Sequence, residues 1–564
     1  MASLRIWSRR CPLYVWPIIG YTMTAMVLTW PLVRQMDGWV PGFGDWGQNI
    51  WALWWTRKAL LMLGQSPFYT HYLFFPDGVT LLFHPLDVTD ALIVLPIYGL
   101  VSSDVAYNIV VLLSYILSGL GVYWLVAHLT DMRWSGWIAG LIYAFSPYHV
   151  LRLMLGHLNL ASVQWIPFYL LCLFLYLRKG RRIFAFLAGF FILLNALCSW
   201  YYVLVCGLCT LAMVARHFVQ PITFPRLLAR LTAASVISLG ITAPLWFPMI
   251  QLMRGTELVG EHNPLRHSVD LLSFWLPGPP STWAAWFEPL WAPYAAQNRE
   301  PGASAYLGYV ALVLAIIGCT TGYLRREAHW WLTMGLGFTL LALGPQLQVA
   351  GHIWDVKLPY AYLHKYIPVL PIAGIPGRFV IATTLALAVL AGCGIAVLQK
   401  RSRLSKMGLP ILVSILIMLE TLSVPLAGSS TSLPMFYHRL ADDAGDYALL
   451  DVKWDANYLM HAQTLHNKPL VGGWLARLPA QQARYLEQGG VEAAITFLLI
   501  GSTGADMPTE VLRSRLNESL SRHRVRYIID HNRLLSKWIA KVLGWRRTYV
   551  EKDGEHVAVY EATP

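Results

Sequence analysis

One carboxylate in this chain stands where proton chemistry at a membrane rim could take place. Asp45 lies in GFGDWGQNIWALWW, residues 42–55, just after the first long apolar run. A carboxylate at such a boundary can take a proton from a hydroxyl. Partial burial beneath Trp side chains is expected to raise its pKa toward a useful value. The same spacing supports a structural role, because Asp45 with Gln48 three residues on is a capping-box pattern at a helix start. Both roles can hold at once.

Further candidates follow. His84, Asp87 and Asp90 stand in HPLDVTD, where they suit a divalent-metal site or a second acidic cluster near Asp45. The structural alternative is that Asp87 or Thr89 starts a helix at 90. Arg152 and His157 lie in SPYHVLRLMLGHLNLASVQW (146–165). Arg152 would sit outside the cytosol, unlike most arginines near a span, and so wants a local anion. His157 suits a bond to a reacting group or to a backbone carbonyl. In the loop 251–304, Arg266 and His267 could bind phosphate or simply be solvated, and Ser268 or Asp270 could cap LLSFWL. Arg378 ends PVLPIAGIPGR at the start of an apolar run. A cation there meets the positive end of a helix dipole, which is unfavourable unless an anion is bound. Snorkelling to a lipid headgroup is the alternative.

These residues need elements to hold them. The chain has 564 residues, 56% hydrophobic and 13% charged; a soluble protein has about a quarter charged. Repeated apolar runs of about 20 residues mark a multi-span α-helical membrane protein. The net charge of +13 comes from Lys and Arg at the ends of apolar runs, a positive-inside pattern and not a nucleic-acid platform. The seven cysteines all lie in or beside apolar segments, so no disulfide framework is implied.

The expected spans are 12–32, 106–127, 134–147, 161–177, 183–199, 201–215, 231–250, 305–323, 330–348, 379–398 and 409–427. The run 90–101 is short and carries Pro96. If it does not cross, Arg9 and Arg10 share a side with Arg178 to Arg182, Arg216 to Arg230, Arg325-Arg326 and Lys400 to Arg403. If it does cross, every later cluster opposes the N-terminus. The positive-inside rule therefore selects about 11 spans, with the N-terminus cytoplasmic and the C-terminus outside. Residues 1–427 form the transmembrane domain, with 33–104 as the first external loop. Within that loop, 46–62 reads as an interfacial helix with Trp46, Trp51, Trp54 and Trp55 at headgroup level. Residues 428–564 read as a small α/β extracytoplasmic domain, with strands in 446–452, 526–531 and 556–562 and a surface helix over 508–523. The long loops all fall on the outer face, which is where such a protein would work.

This arrangement resembles the GT-C superfamily of membrane glycosyltransferases, and within it the bacterial multi-span group with a polar C-terminal domain. The resemblance rests on GFGDWGQNIWALWW, on YLFFPDGVTLLFHPLD (72–87), on AFSPY, GHLNL and QWIP within 144–167, and on IPGRF (375–379). It implies a polyprenyl-phosphate monosaccharide donor and an inverting attack by a glycan or lipid acceptor hydroxyl on the extracytoplasmic side of the cell membrane. It implies Asp45 as general base, with Arg152 and Arg378 on the donor phosphate. His84, Asp87, His157, Arg266 and His267 would then contact substrate. Were a divalent cation (Mg or Mn) involved, Asp45 and Asp87 would ligate it. Asp45 is followed by Trp46, where protein O-mannosyltransferases tend to have Glu, and no WWDYG-type block is present, so transfer to protein is not favoured. Two other classes stay in view. A lipid or polysaccharide flippase would favour matching halves and charges at mid-bilayer, which are not seen. A non-catalytic GT-C-like assembly protein would use the C-terminal domain to bind a partner.

Overall fold

The structure is a computed structural model. It describes residues 15–218, 224–255, 258–259, 262–279, 281–295, 305–320, 325–367, 370, 374–401, 407–452, 455–479, 518, 520–521, 523–531, 543–551 and 557–562. The chain opens with α1 (Val15–Leu28), β1 (Trp39–Pro41), α2 (Trp46–Arg57), a short hairpin of β2 (Tyr69–Thr70) and β3 (Val79–Thr80), and α3 (Val88–Val94). A helical series follows: α4 (Ser103–Thr130), α5 (Arg133–Ala144), α6 (Pro147–Met154), α7 (Leu158–Ala161), α8 (Trp165–Lys179), α9 (Arg182–Cys198), α10 (Trp200–Phe218) and α11 (Phe224–Gly255). Next come β4 (Leu258–Val259), α12 (Ala284–Ala295), α13 (Tyr309–Thr320), α14 (Arg325–Ala342), the hairpin β5 (Gln346–Val349) and β6 (His352–Lys357), and α15 (Pro359–Tyr366). The helices α16 (Val380–Arg401) and α17 (Gly408–Glu420) complete this part. The remainder holds β7 (Gly428–Ser430), α18 (Met435–Asp442), β8 (Ala448–Val452), α19 (Ala456–His466), β9 (Leu478–Pro479), β10 (Val525–Asp530), β11 (Arg546–Glu551) and β12 (Val557–Glu561).

Among the described residues, four helical stretches are long and apolar enough to cross a bilayer: Ser103–Thr130, Leu158–Lys179, Leu228–Arg254 and Pro376–Arg401. With the shorter apolar helices they make this an integral membrane protein. Within the stretch Pro376–Arg401 every residue from Val380 to Val397 is buried, and this helix forms the central post. Its packing follows from small residues: a Cβ added at Gly394 would lie 2.0 Å from the Leu314 carbonyl of α13, and one at Gly318 of α13 would lie 2.5 Å from the Leu390 carbonyl. Lipid offers no hydrophobic drive between helices, so close backbone approach supplies the attraction. Glu420 ends α17 and accepts from the Val310 amide at 3.1 Å and the Tyr306 hydroxyl at 2.7 Å. A carboxylate there meets the positive end of α13.

Helix α3 has seven residues and is only about 10 Å long, far short of a span. The expected strands appear as β8, β10 and β12, joined by β11 in a four-stranded sheet of order β11-β12-β10-β8. There β8 runs parallel to β10 and the other pairs are antiparallel. The helix expected over 508–523 lies almost entirely outside the described residues, as does the arginine-rich N-terminus.

One expectation is overturned. Helix α2 does not face headgroups. Trp46, Trp51, Trp54 and Trp55 are all at most 9% exposed, and every residue from Trp46 to Thr56 is buried. The cover comes from α19, which packs along α2. Its polar side chains satisfy α2 from the far end of the chain. The Trp51 indole donates to Gln463 Oε1 at 2.6 Å, and the Lys58 ammonium donates to Asn467 Oδ1. A helix rich in Trp with a basic end suits a membrane surface equally well when the covering element is far away in sequence.

Candidate active site

The glycines of GFGDWG explain how Asp45 is placed. The turn between α6 and α7 pairs with this loop backbone to backbone: Phe43 donates to the Met154 carbonyl and Asp45 to the Leu155 carbonyl, both at 2.9 Å. A Cβ at Gly44 would lie 2.1 Å from the Leu155 carbonyl oxygen. On the other side, a Cβ at Gly47 would lie 2.1 Å from the Asn457 carbonyl oxygen of α19. The loop is thus clamped between α6–α7 and α19, and any side chain at either glycine would push a wall away.

Asp45 precedes α2 but makes no side-chain cap bond. Its carboxylate turns outward instead. Oδ2 lies 3.2 Å from His157 Nε2, and Oδ1 accepts from Asn457 Nδ2 at 3.3 Å. The Asp45 side chain keeps 32% of its surface exposed. Burial pushes its pKa up, but the hydrogen bond and charge of His157, then Asn457 and Gln48, outweigh this and hold it below the usual carboxylate value. The expected upward shift is therefore reversed, because three donors converge on a group that is only partly desolvated. Asn49 ties the loop further, donating to the Asp45 carbonyl at 2.9 Å and the Gly156 carbonyl at 2.8 Å.

From His157 a run of contacts leads toward Arg378. The His157 amide donates to the Arg152 carbonyl at 2.8 Å. Arg152 is fully buried, its guanidinium 4.8 Å from the centre of the Tyr148 ring. It does not stand at an open surface. The Tyr148 and Tyr202 hydroxyls are 3.4 Å apart. Next in sequence, Tyr201 carries the Arg378 guanidinium 3.7 Å above its ring, a cation–π contact. Arg378 lies in the helical turn Pro376–Phe379 that leads into α16, and its Nε and Nη1 find no hydrogen-bond acceptor among the described residues. The Gly377 amide donates to the His267 carbonyl at 3.0 Å, which brings the loop with half-buried His267 and exposed Arg266 beside it. Asp270 does cap the turn Leu271–Phe274, and it also accepts from the Ala350 and Gly351 amides.

His84 and Asp87 lie deeper, 6% and 0% exposed. Asp87 adopts a left-handed backbone ahead of α3 and makes no cap bond, while the Thr89 hydroxyl donates to the Leu194 carbonyl. Asp87 thus holds the N-cap position of α3 without a side-chain bond, and Thr89 lies inside its first turn. Asp87, Asp90 and Cys198 bring one ligand atom each within 4.8 Å of one another, a group that does not include Asp45. Asp90 accepts from Ser162, and Gln164 lies 3.4 Å away. Burial pushes Asp87 well above the ordinary carboxylate value and Asp90 up to about 6.

Residues that the sequence reading passed over complete the site. They are Asn457 and His461 on α19, Asp104 at the start of α4, and the tyrosines Tyr148, Tyr201 and Tyr202. The i, i+4 spacing of Asn457 and His461 put them on one helix face. Asp455, whose Oδ1 accepts from the Asn457 amide at 3.0 Å, marked the helix start.

Comparison with solved structures places this fold in a known class. The arabinofuranosyltransferase AftD from Mycobacteria superposes with a TM-score of 0.57 at 15% identity, over 98% of this chain and 40% of that one. The chain thus spans about two fifths of that protein's length. The oligosaccharyltransferase of Archaeoglobus fulgidus, tethered with an acceptor peptide, gives a TM-score of 0.50 at 11% identity, over 98% of this chain and 74% of that one. The chain shares its fold with these two glycosyltransferases. The chain belongs to the family described as "Domain of unknown function (DUF6311)", whose model matches residues 17–419. No curated protein sequence matches the chain.

Proposed function

We propose that this protein is a membrane glycosyltransferase that moves a monosaccharide from a polyprenyl-phosphate donor to a glycan or lipid hydroxyl on the extracytoplasmic face. What supports the proposal is a part-exposed carboxylate, Asp45, held below its usual pKa, and a cation, Arg378, at the other end of the run of contacts from His157, whose Nε and Nη1 find no acceptor among the described residues beside the start of α16. A buried N–H without an acceptor is costly, and a phosphate oxygen at a helix start would satisfy it.

In this reading the acceptor hydroxyl attacks the anomeric carbon from the face opposite the phosphate. A C–O bond forms there, the anomeric bond to the phosphate oxygen breaks, and the lipid phosphate leaves with the electron pair, steadied by Arg378. Asp45 takes the hydroxyl proton. A carboxylate held at low pKa is a weak base, so proton uptake must accompany C–O bond formation, when the hydroxyl becomes acidic. The configuration inverts. Arg152, fully enclosed, would support the donor through Tyr148 and Tyr202, with His157, His84, Asp87, Arg266 and His267 around the substrate. A divalent cation belongs to the same proposal. Asp87 and Asp90, whose ligand atoms lie close together with that of Cys198, would hold it, and it would supply positive charge at the leaving phosphate. The proposed topology has about 11 spans, a cytoplasmic N-terminus and 428–564 outside.

The test is release of free lipid phosphate by purified protein given polyprenyl-phosphate sugars and a pool of glycan and lipid acceptors. Asp45→Asn should lower turnover by about 10²–10⁴-fold. Arg378→Ala should weaken the donor term kcat/KM by about tenfold or more. Wild-type protein that releases nothing with any donor ends the proposal, and full activity in Asp45→Asn ends the base assignment alone.

A further inference from the structure

Asp45 is held from two directions that are remote in sequence. His157 belongs to the turn just ahead of α7, close to the loop it grips. Asn457 comes from α19, 412 residues away. Nothing about helix packing requires an amide to be spent on the part-exposed carboxylate of the site, because α19 already has deeper polar anchors on α2. Gln463 takes the Trp51 indole and donates to the Tyr72 carbonyl at 2.7 Å, and Asn467 takes Lys58.

The placement of Asn457 is tightly constrained. Its amide is capped by Asp455, and its carbonyl presses on the bare Cα of Gly47. One turn on, the His461 ring stands 5.1 Å from that of Trp46, the residue next to Asp45. His461 Nε2 lies 3.5 Å from Asp104 Oδ1, with side chains only 7% and 12% exposed. The other Asp104 oxygen accepts from Thr431, just past β7. Asp104 sits in the first turn of α4, where a carboxylate is favoured by the helix dipole. Three segments, the start of α4, the strand end at Thr431 and the middle of α19, are thus fastened at one point.

We propose that α19 is part of the reaction machinery and that Asn457 is a positioning residue for Asp45, with His461, Asp104 and Thr431 as the latch that seats the helix. This deepens the glycosyltransferase reading and rests on it for the reaction. Each carboxylate oxygen has two acceptor sites. With Oδ2 tied to His157 and Oδ1 to Asn457, the carboxylate plane is fixed and the remaining acceptor sites aim in set directions. Loss of either tie lets the group rotate about its side-chain torsions.

The test has two arms on the full-length protein. In the first, Asn457→Ala and the isosteric Asn457→Asp are assayed for lipid-phosphate release. Misaiming a reacting group by about 1 Å costs on the order of 10²-fold, so kcat should fall by about that factor while the donor KM stays at the wild-type value. Asn457→Asp keeps the shape of the helix face, so a fall in kcat there cannot come from lost packing. Wild-type kcat in that correctly folded variant overturns the proposal. In the second arm, Asp45 is modified with a water-soluble carbodiimide at one fixed pH, and the peptide is quantified by mass spectrometry. Freed from Asn457, the carboxylate should react severalfold faster in Asn457→Ala, and an unchanged rate overturns the proposal. If wild-type protein shows no transfer at all, the glycosyltransferase reading fails, and the labelling arm alone decides whether Asn457 holds Asp45.

Discussion

Asp45 carries its charge more firmly than its surroundings suggested, and the cause is local. Three donors outweigh the burial around it. The opposite case is Asp90, enclosed beside Asp87 and pushed up to about 6 by burial. A carboxyl with a raised folded-state pKa holds its proton more tightly folded than unfolded. Its share of stability is full below the unfolded value near 4 and is lost as pH rises through about 6. Thermal unfolding in detergent, with chelator present, should show stability dropping by about 2 kcal/mol between pH 4 and pH 7, and Asp90→Asn should flatten that slope. A wild-type curve already flat over this window would mean that burial does not hold a proton on Asp90. At this scale the sequence was partly legible. Asp45, Arg378, Asp87 and His157 could be picked out by type and position, because each was a polar group in a place that disfavours it. Asn457 could not, since an amide on an amphipathic helix is unremarkable until its partner is known.

The loop and its two walls behave as a unit. Gly44 and Gly47 have no room for a methyl group against the Leu155 and Asn457 carbonyls. Gly47→Ala should therefore force α19 off α2, costing about 1–3 kcal/mol and lowering turnover through Asn457. Limited proteolysis around 466–479 together with a melting curve would register it, and wild-type values in both would count against the clamp. Gly44→Ala should strike the α6–α7 side instead and loosen His157. The glycines of GFGDWG stood in the sequence, and in the structure they admit close backbone approach. What approached could not be read, because both partners lie far along the chain. For the same reason α2 read as a surface helix, when its Trp face is covered by α19.

The whole molecule is a helical bundle in the membrane with a small sheet joined to it. Apolar runs predicted the long helices well, since period and length are local properties. The strands in 446–452, 526–531 and 556–562 were equally local; β11 (Arg546–Glu551), exposed and charged along much of its length, was not. Span number and sidedness follow from the charge argument and can be measured. Single cysteines introduced at Gln65 and Trp286 should react with an impermeant maleimide in intact cells. One at Lys179 should react only after permeabilisation. The reverse pattern would invert the topology.

The tie between Asp45 and Asn457 also has a bearing on biogenesis. The loop is synthesised near the start of translation, and its counterpart emerges roughly four hundred residues later, as the separation of 412 positions requires. A ribosome-bound or prematurely terminated intermediate would thus display the acid without its aim, and the proposed transfer would run slowly until the polypeptide had been threaded and docked. Competence would arrive last, as a by-product of completion.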